Sequence, residues 1–163
     1  MSDDTSNLIP DSDSDSEELE DFSAEELLEQ AQINAQALFL GTASALAGNE
    51  VALDSWRNHL AGTFIRGWDT SMEWEASDIL YALLTSYRSY GAEVIDADLE
   101  ADPPVALIDN LPNVYLAEML EVEPGLMHHL FRIGEDLASQ LGGALLWRTT
   151  DDGSMELKVT VEE

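Results

Sequence analysis

The chain has no cysteine, a single lysine (Lys158) and only six basic residues in all. Each scarcity excludes something. Without cysteine there is no disulfide, no thiolate metal site and no cysteine nucleophile. With so few bases the chain cannot neutralise a run of phosphates, so nucleic acid is not an expected partner. No apolar run reaches the roughly 18 residues of a membrane-spanning helix. The acidic start also lacks the basic and apolar segments of a secretory signal, and a cytoplasmic address is expected.

What is plentiful is acid. Asp and Glu number 34 in 163 residues, for a formal charge of −28. Nine lie in residues 1–21; the other 25, against six bases, leave the rest of the chain at −19. An acidic tail alone therefore does not account for the charge. A cytoplasm of molar salt favours such surfaces, because the Debye length falls to about 3 Å at 1 M and like charges stop repelling. A docking face for a basic protein partner is the alternative. Because the acids occur in every segment rather than in one cluster, the halophile reading is preferred.

Residues 1–21 mix Asp, Ser and Glu with almost nothing to bury, and are expected to be disordered. Asp11, Asp13 and Asp15 resemble the start of a calcium loop. The sixth and twelfth positions, however, are Ser16 and Phe22 instead of Gly and Glu, so the motif fails. Residues 22–163 are read as one α+β domain.

Ser23 with Glu26 forms a capping box, and Phe22 with Leu27 fits the accompanying hydrophobic staple. A helix should follow as far as Gly48-Asn49, with Leu27, Ala31, Ala35, Leu38, Thr42 and Ala45 as a small-residue packing face. Its partner is either internal or a second subunit. A second helix reads from about Leu53 to Trp68. A third begins after Thr70, which with Glu73 makes another capping box, and presents Ala76, Leu80, Leu83, Leu84 and Tyr87.

Beyond Gly91 the period changes to two: Ile95, Ala97 and Leu99 oppose Asp96 and Asp98. Asp102-Pro103-Pro104 turns this strand into a second, VALID. After a short helix near Asn113–Leu120, Leu126, Leu130, Ile133, Leu137 and Leu141 fall on one helical stripe. Pro124 suits its start and Gly142-Gly143 its end. Asp151-Asp152-Gly153 then joins two strands, the second with Met155, Leu157, Val159 and Val161 on one face. The expected fold is three N-terminal helices, a β-hairpin, a helix and a β-hairpin. Its four-stranded antiparallel sheet is covered on one face by helices.

Chemistry-bearing motifs are few. His128 and His129 are adjacent on a helix and point about 100° apart, so they do not form the i, i+4 pair that a metal uses. No metal and no cofactor is expected. Carboxylates such as Glu73, Glu75 and Asp78 are too numerous for a pair to be informative, and a carboxyl raised toward neutral pH requires burial. No G-x-S-x-G elbow or phosphate-cradling glycine loop is present.

The aromatic residues carry more. Trp56, Phe64, Trp68, Trp74, Tyr81, Tyr87, Tyr90 and Trp147 could line an apolar pocket if they converge. Of these, Trp56, Phe64, Trp68, Tyr81, Tyr87 and Trp147, with Arg88 beside them, make the candidate ligand site. The plainer reading is that they fill the core. A small apolar ligand suits the rings; an anionic one suits the arginines, unless these pair internally with Asp or Glu.

The order of elements resembles the 4-vinyl-reductase-type domain and the related small TRAPP trafficking subunits. Three segments carry the resemblance: SYGAEVIDADL where the helix gives way to the first strand, IDNLP closing the second, and HHLFRIGEDLASQLGG before the last hairpin. The resemblance covers about residues 23–161. It implies a small-molecule or lipid-sensing module, or a dimeric scaffold. Many members have cysteines near the last hairpin, and their absence here leaves any metal or thiol chemistry behind. Three functions are therefore carried forward: a non-enzymatic regulatory or ligand-sensing module, a homodimeric assembly subunit, and a carboxylate-based enzyme in third place.

Overall fold

The stripe from Leu126 to Leu141 becomes a helix laid on a sheet. In the computed structural model, which describes residues 22–161, the chain runs α1 (Ala24–Leu46), α2 (Glu50–Phe64), α3 (Ala76–Ser89), β1 (Glu93–Asp98), β2 (Val105–Asp109), α4 (Val114–Met119), α5 (His128–Gln140), β3 (Gly143–Thr149) and β4 (Met155–Val161). The expected disorder of residues 1–21 lies outside the described residues. Among the described residues, no helix is long and apolar enough to cross a membrane.

The two hairpins join into one antiparallel sheet of order β1-β2-β4-β3. The junction is β2 with β4, from Val105 opposite Lys158 to Ile108 opposite Met155. Its inner face presents Ala106, Ile108, Leu145, Met155, Leu157 and Val159, all buried. On that face α5 lies over β3 and α3 over β4; α2 packs on α5, and α1 meets α2 and α4. The opposite face, with Leu107, Leu146, Arg148, Glu156 and Lys158, carries no helix among the described residues and is half-buried to exposed.

Local chemistry explains the helix ends. The Ser23–Glu26 capping box forms: the Ser23 N–H and hydroxyl donate to the Glu26 carboxylate, and the Glu26 N–H donates to Ser23 Oγ. Pro124 opens a 3₁₀ turn, Pro124–Met127, that runs straight into α5. Gly142, at φ +83°, ends it in the left-handed conformation. Leu130, Phe131, Ile133 and Leu137 of α5 are buried. At about 1.5–3 kcal/mol for each such side chain removed from water, this is a large share of the core.

Three details differ from the pattern-based expectation. The buried face of α1 is Gln36, Phe39, Leu40 and Ala43, whereas Leu27 and Leu38 are 56% and 74% exposed. The small-residue stripe is thus the outer face, half-buried at Ala35 and Thr42 and exposed at its other positions. Next, the Thr70–Glu73 capping box does not form. Asp69 instead accepts hydrogen bonds from the N–H and hydroxyl of Ser71, and α3 begins only at Ala76. This Asx turn competes locally with helix initiation and takes precedence. Lastly, all six residues of β1 are exposed, Ile95 among them. A bulge between Val94 and Asp96 breaks the alternation, at the sheet margin where bulges are common.

Candidate functional site

The seven proposed site residues fall into separate neighbourhoods. Trp56 of α2 packs against Phe39 of α1 at a ring separation of 4.9 Å, and Phe39 meets Tyr90 edge-on at 6.1 Å. Phe64, at the end of α2, is half-buried against the core. Tyr87 of α3 is wholly buried, edge-on to Phe131 at 5.2 Å; Phe131 in turn lies 5.4 Å from Trp147 of β3. The Trp147 indole N–H donates to Glu135 at 2.8 Å. Burial first, then the negative charge of Glu135, pushes the Tyr87 hydroxyl far above the usual tyrosine range. These three groups are built into the interior or its margin.

Trp68 and Tyr81 belong together elsewhere. Trp68 follows the 3₁₀ turn Ile65–Gly67 that ends α2, and stacks on Trp74 with ring centres 5.9 Å apart and planes 25° apart. The Trp74 indole N–H donates to the Asp69 carbonyl at 2.7 Å, which pins one ring of the stack to the loop that carries the other. The Ser71 N–H and hydroxyl donate to the Asp69 carboxylate at 2.9 and 2.6 Å and hold it below the usual carboxylate range. The loop is therefore organised by its own hydrogen bonds. Facing it, α3 supplies Asp78 and Tyr81, the latter 63% exposed. Between loop and helix is an open groove of about 610 Å³, whose apolar lining includes Met72, Trp68, Trp74 and Tyr81 and whose rim bears Asp69, Glu73 and Asp78.

Trp74, one of the eight aromatics read from the sequence but outside the seven site residues, completes this groove together with Met72, which the sequence did not single out. Their signal was the Trp68–Trp74 spacing across a breaker-rich loop; a helix assigned from Met72 concealed it.

Arg88 lies in a different groove, at the end of α3 beside α1, together with Leu28, Gln32 and the acids Glu25, Glu29 and Glu93. Trp147 also borders a shallow depression on the outer sheet face with Arg148, Glu156 and Lys158. There the guanidinium of Arg148 and the ammonium of Lys158 converge on Glu156 at 3.0–3.1 Å. They hold its carboxyl down to about 2.

The histidines sit at the start of α5. His128 lies 5.1 Å from the Trp147 ring, and burial, then Arg132, holds its imidazole below the usual range. His129 is lowered by burial and then by Arg57 and Arg132. Among the described residues, no three His, Asp or Glu side chains gather as a metal site. No family model matches the chain, and neither the curated proteins nor the solved structures compared with it gave a match.

Proposed function

We propose that the protein is a non-enzymatic binding module, regulatory or sensing in role, adapted to a high-salt cytoplasm, with its ligand held in the Trp68–Trp74–Tyr81 groove. One observation carries the reading: the groove wall is tied in place by its own hydrogen bonds while its tryptophans are only half-buried and Tyr81 is exposed. A wall ordered beforehand loses little freedom on binding, so more of the contact energy is available as affinity. The resemblance to the 4-vinyl-reductase-type domain supports a sensing role. The dispersed acids support the high-salt setting.

The test is a titration of the full chain with the neutral dye Nile red, read by tryptophan quenching. Saturable binding that is lost in Trp74→Ala and kept in Trp56→Ala is the expected result. Binding that is absent, or indifferent to Trp74→Ala, overturns the reading.

A second reading, a homodimeric assembly subunit, is favoured by the outer face of α1. Leu28, Ala31, Ala35, Leu38, Thr42 and Ala45 recur there at alternating spacings of three and four, the period of a two-helix seam. Leu28 and Leu38 are 58% and 74% exposed. Sedimentation in molar salt should show a dimer that Leu38→Glu converts to a monomer; a monomeric parent chain rejects this reading.

A further inference from the structure

We propose that the ligand of the Trp68–Trp74–Tyr81 groove is a small organic cation, a quaternary or alkyl-ammonium compound. The inference rests on the reading of that groove as a binding site, and adds the chemistry of what enters it.

Three observations converge. First, the lining is aromatic: the half-buried Trp68–Trp74 stack and an exposed Tyr81 border the same groove. The electron-rich faces of indole and phenol rings attract cations, most effectively those that give up water easily. Second, every charged residue of the lining is an acid. Asp69, Glu73 and Asp78 surround the rings, and no Arg, Lys or His is among them. An anion would be repelled here, and a cation gains from the rim an attraction that a neutral apolar molecule does not. Third, the Asp69 carboxylate is already engaged by Ser71, which keeps it ionised and fixed as a charge instead of a free metal ligand.

The same features select against inorganic cations. A sodium or magnesium ion needs several converging oxygens, and the described residues hold no such cluster. Ring faces offer a poor replacement for a tightly held hydration shell. A trimethylammonium group is weakly hydrated, is clad in methyl groups that fit the apolar floor, and has a diffuse positive charge that the rim completes. Such contacts are short-range, so they persist in salt concentrations that screen longer-range attraction.

The discriminating experiment compares choline with its uncharged carbon isostere, 3,3-dimethylbutanol. Both are titrated into the full-length chain in about 1 M NaCl, with the indole N–H signals followed by NMR. Choline should bind about tenfold more tightly or better than the isostere. The double variant Glu73→Gln/Asp78→Asn, at two exposed positions, should erase most of that preference. Equal affinity for the two compounds would overturn the cation inference while leaving the groove as a binding site. Binding of neither would remove both. A preference that survives loss of Glu73 and Asp78, and also survives Trp74→Ala, would place the cation elsewhere and overturn the proposal.

Discussion

The hydroxyl of Tyr87 occupies the space that a β-carbon on Gly134 would require. Helices α3 and α5 meet there, over Leu145 of β3, and the glycine is what lets the phenol ring pass. That hydroxyl is buried and has no hydrogen-bond partner among the described residues. Gly134→Ala should therefore cost about 2–3 kcal/mol through overpacking. Tyr87→Phe should be neutral or stabilising by up to about 1 kcal/mol, because an unsatisfied hydroxyl is removed without a cavity. In the double variant the alanine should cost less than it does alone, although Leu145 still crowds the site. Urea midpoints of the four proteins check the cycle; strict additivity would refute the relationship.

Gln36 is 2% exposed and serves three chain segments at once. Its amide nitrogen donates to the carbonyls of Tyr90 and Asn110 at 2.7 and 3.0 Å, and its amide oxygen accepts from the Asn113 N–H at 2.9 Å. Gln36→Leu would leave these buried backbone groups unmatched at the end of α3, the end of β2 and the start of α4. The expected loss is about 2–4 kcal/mol, with faster amide exchange concentrated at Tyr90–Gly91 and Asn110–Asn113. A loss below about 0.5 kcal/mol, the range of an ordinary surface change, would show that the bonds contribute little.

Glu156 sets a pH dependence whose sign is fixed by geometry. Hydrogen bonds from Arg148 and then Lys158 hold its carboxyl at about 2 in the folded chain, against an ordinary value of 4.5. A depressed carboxylate stabilises the fold above its ordinary pKa. That contribution is lost as pH falls from 4.5 toward 2. Arg148→Met should raise the Glu156 titration midpoint measured by carbon-13 NMR, and Glu156→Gln should make the acid limb of stability shallower. An unshifted midpoint in Arg148→Met would contradict the bridge.

Salt should raise stability. Among the described residues only Asp54 and Glu156 have a basic partner, through Arg57, Arg148 and Lys158. The remaining described carboxylates have no basic group within 4 Å. The melting temperature should climb steadily between about 0.1 and about 3 M KCl as screening shortens the range of repulsion. A flat profile would argue that the acids serve a basic partner.

Legibility in the sequence followed the strength of local signals. The α5 stripe, the Asp151–Gly153 turn and the Ser23–Glu26 box each combine several residues that point the same way, and all three form. The face of α1 was misjudged because its true centre is a glutamine. A polar residue reads as exposed until its three backbone partners, 54 to 77 positions away, are known. The alternation of β1 was lost to a bulge that no single residue announces. In the groove, Trp68 and Tyr81 were recognised as candidates. Their companion Trp74 was assigned to a helix because Thr70 and Glu73 imitate a cap that the Asp69–Ser71 turn displaces.

The two margins of the sheet differ in a way that limits assembly. On one, β1 combines a bulge with Glu93, Asp96 and Asp98; on the other, β3 runs from Gly143 to Thr149 without a single acid. Of the two margins, β3 is the one that sets no acid against an added strand. Two copies joined there by a two-fold axis would have only their acid-bearing margins outermost. In such a pair the edges left free would be the bulged ones, whose like charge opposes a further strand.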